Sequence, residues 1–159
     1  MNKYTCYTDG SCIKNNKGYG SGGWASVIIN DKGDVIAELY HGRINTTNNR
    51  MELLAVLETL RYFKESTEIK IISDSMYVVN TIVNHWAERW FRDEDYSKEN
   101  LDLWAQVLEL LNFHTVTIEW VKGHASNKYN NRADQLAQFA ATLINLPEDE
   151  YYSKNKKDR

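Results

Sequence analysis

Apolar and polar residues alternate over short stretches early in the chain and later switch to helical spacing, and this change of period divides the sequence into elements. Residues 3–9, Lys-Tyr-Thr-Cys-Tyr-Thr-Asp, read as a strand of β-forming residues closed by Gly10 and Ser11, which puts Asp9 at a strand's carboxyl end. A loop holding Gly18, Gly20, Gly22 and Gly23 leads to a second strand near 24–30, and Asp31-Lys32-Gly33-Asp34 makes a hairpin turn into a third near 35–43. Thr46, Thr47 and Asn48 offer N-capping side chains to a helix running to about Phe63, and residues 68–74 form a fourth strand ending at Asp74. The spacing over 75–112 is helical, with polar breaks near 85–89 and 93–97 that divide it into two or three helices. Residues 115–121 alternate again, with Val116, Ile118 and Trp120 on one side, and a loop over 122–128 leads to a last helix over about 130–144. Pro147 and Glu148-Asp149-Glu150 stop that helix, so residues 148–159 are expected to form a charged, mobile tail after one domain over 1–147.

Three strands, a helix, a strand, more helices, a strand and a helix make an α/β protein. Its mixed sheet of five strands, three antiparallel and two parallel, is flanked by helices, because strands separated by helices pair in parallel. In open sheets of this kind ligands bind beyond the carboxyl ends of the strands, where Asp9 and Asp74 both fall. On a helical wheel Leu53, Val56, Leu57 and Leu60 mark the buried face of the first helix, with Glu52 at its edge. Ala133, Ala137, Ala140 and Ile144 do the same for the last, with Asp134 at its edge. Each acid has a bland alternative: Asp9 and Asp74 as turn formers, Glu52 as an acid near a helix start, Asp134 as a solvated helix residue. Taken together they describe a set of oxygen ligands that suits Mg²⁺ or Mn²⁺ better than zinc.

The residues then resemble a known family. Tyr7-Thr8-Asp9-Gly10-Ser11-Cys12, Thr47-Asn48-Asn49-Arg50-Met51-Glu52-Leu53, Ser73-Asp74-Ser75-Met76-Tyr77-Val78 and Trp120-Val121-Lys122-Gly123-His124-Ala125, followed by Asn130-Asn131-Arg132-Ala133-Asp134, resemble ribonuclease H of type 1, in order, over about residues 4–145. The resemblance implies the ribonuclease H-like fold and an endonuclease that cuts the RNA strand of RNA/DNA hybrids. Asp9, Glu52, Asp74 and Asp134 would hold two Mg²⁺ ions, with Mn²⁺ able to substitute, for an in-line attack that leaves 5′-phosphate and 3′-hydroxyl ends. His124 matches the family's mobile histidine, which helps move a proton or free the product. Gly10 permits close backbone approach, positions matching Cys12, Asn15, Asn48, Asn49 and Met76 lie along the hybrid's minor groove, and Thr47 matches a position that grips a DNA phosphate. Asn48 and Asn49 read equally well as helix caps. His41, His85 and His114 lack such a context and read as surface or packing residues.

Two departures from the family stand out. Where bacterial relatives carry a basic protrusion, Trp86 and Trp90 are accompanied by Arg89 and Arg92 but followed by Asp93, Glu94 and Asp95, and Met76 stands where a glutamine is usual. The net charge of −3 is unhelpful for binding phosphates, although two divalent cations add four positive charges and take −3 to +1. Cys6 and Cys12, the only cysteines, read as free thiols of a reducing compartment, and no apolar stretch approaches the roughly 20 residues that span a bilayer. A cytoplasmic monomer with no membrane partner is expected. A DNA nuclease or resolvase of the same fold would lack the Asn48-Asn49-Arg50 and Lys122-Gly123-His124 stretches, and a non-catalytic hybrid-binding module would have lost one of the four acids.

Overall fold

A computed structural model describes residues 2–14, 20–123 and 126–155. The chain runs β1 (Lys3–Lys14), β2 (Gly20–Asn30), β3 (Val35–Thr46), α1 (Asn48–Tyr62), β4 (Glu68–Ser73), α2 (Met76–Val83), α3 (Trp86–Arg92), α4 (Leu101–Phe113), β5 (Thr115–Trp120), α5 (Lys128–Ala140) and α6 (Glu150–Asn155). The sheet order is β3-β2-β1-β4-β5, with β3, β2 and β1 antiparallel and β1, β4 and β5 parallel. This is the five-stranded mixed sheet expected from the sequence.

One face of the sheet packs on α1 and α4. Cys6, Trp24, Ile28 and Ile71 meet Leu53, Val56, Leu57 and Leu60 of α1 and Trp104 and Val107 of α4 in one buried cluster. The other face carries α5, where Ala25, Val27 and Ile29 meet Ala133, Leu136 and Ala137. Small residues on α5 bring that helix close to the strands. His114 is a packing residue, accepting from Thr67 N at Nδ1 and bonded through Nε2 to the Leu60 carbonyl.

Several boundaries differ from the sequence pattern. Gly10 and Ser11 do not end the first strand, and Gly20, Gly22 and Gly23 lie in a strand and not a loop, because β1 and β2 pair all the way from Tyr4↔Asn30 to Lys14↔Gly20. Partner strands override the poor strand propensity of glycine here. What does end near Asp9 is the parallel ladder: the β1–β4 register stops at Thr8↔Ser73. The last helix stops at Ala140, and Ile144, expected on its inner face, is 85% exposed.

Residues 148–155 also depart from the expected free tail. Asp149 N donates to the Ile44 carbonyl and Ile44 N to the Pro147 carbonyl, so the segment continues along β3 before forming α6. The reason is a buried charge. The Arg50 side chain is 3% exposed and meets Asp149 through Nε and Nη2 at 2.6 and 3.0 Å, and Asp102 through Nη1 and Nη2 at 2.9 and 2.7 Å. Thr46 Oγ1 donates to the same Asp149 carboxylate. Burial opposes the guanidinium's charge, and the two carboxylates outweigh it, holding its pKa above the ordinary value. Removing one partner of such a buried pair is strongly destabilising. Asp149→Ala is therefore expected to lower the unfolding free energy by about 3 kcal/mol, the low end of the usual range because Asp102 remains. Urea unfolding checks this, and a loss under about 0.5 kcal/mol, typical of surface changes, would mean that the segment does not hold Arg50.

Candidate active site

Adjacent parallel strands that stop pairing at Thr8↔Ser73 deliver Asp9 and Asp74 side by side, each one residue past the last paired position. Glu52 arrives from α1, whose start is fixed by Thr47: its Oγ1 accepts from Arg50 N at 3.2 Å. The helix can come this close because position 10 is glycine. A β-carbon there would lie 2.3 Å from Glu52 N and 2.6 Å from the Met51 carbonyl carbon, so any other residue would push α1 off the strand.

Oxygen atoms of Asp9, Glu52 and Asp74 all lie within 4.8 Å of one another. Asp9 and Glu52 are buried, and Asp74 is half-buried. Asp134, on the second turn of α5, reaches the Asp9 carboxyl and accepts from Gln138 Nε2 at 3.1 Å. It stands at the edge of the cluster. Gly10 N donates to Asp9 Oδ1 at 2.9 Å, whereas Glu52 Oε1 is buried without a hydrogen-bond partner among the described residues. A buried carboxylate oxygen left without a donor is costly unless a cation or proton takes it up. The buried guanidinium of the same helix, Arg50, is already committed to Asp102 and Asp149.

Burial, then the charge of Asp74, pushes the Asp9 carboxyl up to about 8 from an ordinary 3.8, with the neighbouring Glu52 carboxyl and the bond donated by Gly10 N opposing. Glu52 is likewise raised well above its ordinary range, first by burial and then by the charges of Asp9 and Asp74. Burial and mutual repulsion thus both favour the protonated form of this pair. The donor set, hard oxygen atoms converging on a proton-holding centre, fits a divalent cation of the Mg²⁺ class and not a thiolate-loving metal.

The expected substrate residues that the structure describes lie on the elements that carry the acids or follow them. Cys12 Sγ donates to the Thr46 carbonyl at 3.7 Å, which places it beside the start of α1. Asn48 and Asn49 are exposed in the first turn of that helix; the cap itself is Thr47, so their side chains are not consumed by capping. Met76, 59% exposed, opens α2 two residues after Asp74. Asn15 and His124 lie outside the described residues. The segment with Trp86 and Trp90 forms α3 and the turn after it, where Lys98 lies over the Trp90 ring and Arg92 pairs with Asp93. Two interactions had no local sequence signal: the Arg50–Asp149 pair and a bond from Trp120 Nε1 to the Asp74 carbonyl at 3.0 Å.

The family model described as RNase H matches residues 1–142. The chain belongs to the RNase H family. Ribonuclease H of Chlorobium luteolum is 47% identical over 143 residues, 87% of this chain and 94% of the relative. Ribonuclease H of Desulforamulus reducens is 44% identical over 154 residues, 94% of each. Among solved structures, LC9-RNase H1, described as a type 1 RNase H with the type 2 active-site motif, superposes with a TM-score of 0.79 at 28% identity, covering 97% of this chain and 80% of that one. RNase H1 of Halobacterium salinarum shares the fold, with a TM-score of 0.66 at 23% identity over 87% of this chain and 96% of that one. Membership carries the enzyme class, a ribonuclease H that hydrolyses phosphodiesters of RNA/DNA hybrids, and with it dependence on a divalent metal.

The raised carboxyls give a signed pH dependence. Because Asp9 binds its proton more tightly in the folded state, its contribution to stability is full below about pH 4, its unfolded value, and is lost as pH rises through about 8. A cation replaces that proton, so Mg²⁺ should raise the melting temperature more near pH 8 than near about pH 5.5, where protons compete. Thermal unfolding with EDTA or Mg²⁺ across this range measures the difference. An increment as large in acid as in base would contradict the assignment.

Proposed function

We propose that this RNase H cuts the RNA strand of RNA/DNA hybrids internally, with Asp9, Glu52, Asp74 and Asp134 holding two Mg²⁺ ions for which Mn²⁺ can substitute. The observation that carries the proposal is the convergence of three carboxylates within 4.8 Å, one of which, Glu52, has a buried oxygen without a hydrogen-bond partner among the described residues. When bound, such a pair of cations supplies an activated water and neutralises the departing oxygen of an in-line displacement, leaving 5′-phosphate and 3′-hydroxyl ends.

The chain's own groups do the rest. Asp9 and Glu52, whose surroundings favour the protonated form, ionise to become ligands, and Asp74 and Asp134 complete the set from a loop and from α5. Gly10, Cys12, Asn15, Asn48, Asn49 and Met76 follow the minor groove of the hybrid, where the 2′-hydroxyl distinguishes RNA from DNA. Thr47, at the start of α1, meets a phosphate of the DNA strand. His124 assists by moving a proton or by releasing product, a role worth less than a metal ligand because water can take over part of it. The enzyme works as a monomer in the cytoplasm. Among the described residues no helix is long and apolar enough to cross a membrane.

Matched RNA/DNA, RNA/RNA and DNA/DNA duplexes incubated with and without Mg²⁺ test the reading. Cleavage is expected for the RNA strand of the hybrid alone, and only with the cation. Asp9→Asn and Asp74→Asn should each remove more than nine-tenths of turnover, a barrier increase above ~1.4 kcal/mol, while circular dichroism stays unchanged. Cleavage of DNA duplexes would point to a nuclease of another specificity. Hybrid binding without cleavage would point to a silent binding module.

A further inference from the structure

Asp74 is the one clustered carboxylate that sits on neither a strand nor a helix. Asp9 lies within β1 and Glu52 within α1, whereas Asp74 occupies the bend between β4 and the Ser75 cap of α2. It is also the least buried of the three. A ligand on a bend needs an outside reference to hold its carboxylate to a fraction of an ångström.

The end of β5 supplies two contacts. Trp120 Nε1 donates to the Asp74 backbone carbonyl at 3.0 Å, just beyond the register pair Ser73↔Trp120. Trp120 is 44% exposed, so core burial does not account for so large a residue there. Three residues on, Gly123 faces the carboxylate itself: a β-carbon there would lie 2.8 Å from Asp74 Oδ2, while Cγ and Cβ of Asp74 are 3.6 and 3.7 Å away. Only the carboxylate oxygen would clash, so an alanine would turn the side chain without displacing backbone.

We propose that Trp120 and Gly123 are positioning residues for Asp74: the indole fixes the carbonyl of the bend, and the bare α-carbon of Gly123 leaves the space in which the carboxylate turns toward Asp9 and Glu52. The inference rests on the metal-site reading above. It predicts that cation affinity, and not only stability, depends on two side-chain features that touch neither cation nor substrate.

The test compares wild type, Asp74→Asn, Trp120→Phe and Gly123→Ala. Trp120→Phe keeps an aromatic ring and removes the donor; Gly123→Ala adds one methyl group. Mn²⁺ affinity is measured by titration calorimetry without substrate, hybrid cleavage against Mg²⁺ concentration, and melting temperature in EDTA. Loss of an outer partner of a metal ligand typically weakens metal binding by about 10–100-fold, and a loss of that order is expected for both variants. The Mg²⁺ needed for half-maximal cleavage should rise in parallel, with turnover recovering at saturating cation and the melting temperature of Gly123→Ala in EDTA unchanged. A merely structural role would lower melting temperatures in EDTA and leave Mn²⁺ affinity alone. If both variants bind Mn²⁺ within about twofold of wild type, well short of that loss, while Asp74→Asn does not bind it, the positioning role is overturned and the metal site stands. If wild type binds no Mn²⁺ that Asp74→Asn loses, the metal-site reading fails and takes this inference with it.

Discussion

Three carboxylates held within 4.8 Å, two of them buried, repel one another and are starved of solvent, and the arrangement of the molecule follows from keeping them together all the same. Burial first, and mutual repulsion second, push such carboxyls toward their protonated forms. The scaffold imposes the approach from three directions: the parallel β1–β4 ladder brings Asp9 of β1 beside the bend after β4 that carries Asp74, and α1 presses Glu52 onto the bare α-carbon of Gly10. That repulsion is what a cation bound there, as proposed, would relieve. A proton relieves it in part, and a divalent cation, with higher charge and several ligand positions, relieves it further.

The same helix solves the opposite problem two residues away. Arg50 is a buried cation, and the fold surrounds it with Asp102, Asp149 and the carbonyl oxygen of the Asn100 side chain. That cluster supplies two carboxylates for one guanidinium and serves to fasten the chain's last described segment to β3 and α1. The two centres lie on one helix but differ in kind: one brings its own counter-charge, and the other leaves Glu52 Oε1 without a hydrogen-bond partner among the described residues. The net charge of −3 has a local meaning in this light, because part of it sits in the carboxylate cluster, where divalent cations would offset it.

What could be read from the sequence was whatever depends on local pattern. β-Forming residues over 3–9 and alternation over 115–121 pointed to strands, Thr46, Thr47 and Asn48 offered the cap that Thr47 makes, and the four acids fell on or near expected strand ends and helix edges because periodicity assigns faces. The ends of elements were harder. Gly20, Gly22 and Gly23 form strand because β1 and β3 flank them on both sides, a fact of tertiary pairing that no local propensity contains. Asp149 looked like tail because acidic residues after a proline are ordinarily solvated; only the position of Arg50, 99 residues earlier in the chain, makes it a buried partner. The contact of Trp120 with the Asp74 carbonyl, across 46 residues, was invisible for the same reason. Local chemistry announced which residues could act, and long-range pairing decided how firmly they are held.

The central claim is that the carboxylate cluster holds a proton until a divalent cation displaces it. Titration calorimetry of Mn²⁺ binding near pH 7 in buffers of different ionisation heat measures this directly, because the observed heat then includes the protons handed to the buffer. The account predicts net release of about one proton per site, seen as an apparent enthalpy that varies with the buffer. Binding with the same enthalpy in every buffer would show that the site is already fully ionised, and would contradict it.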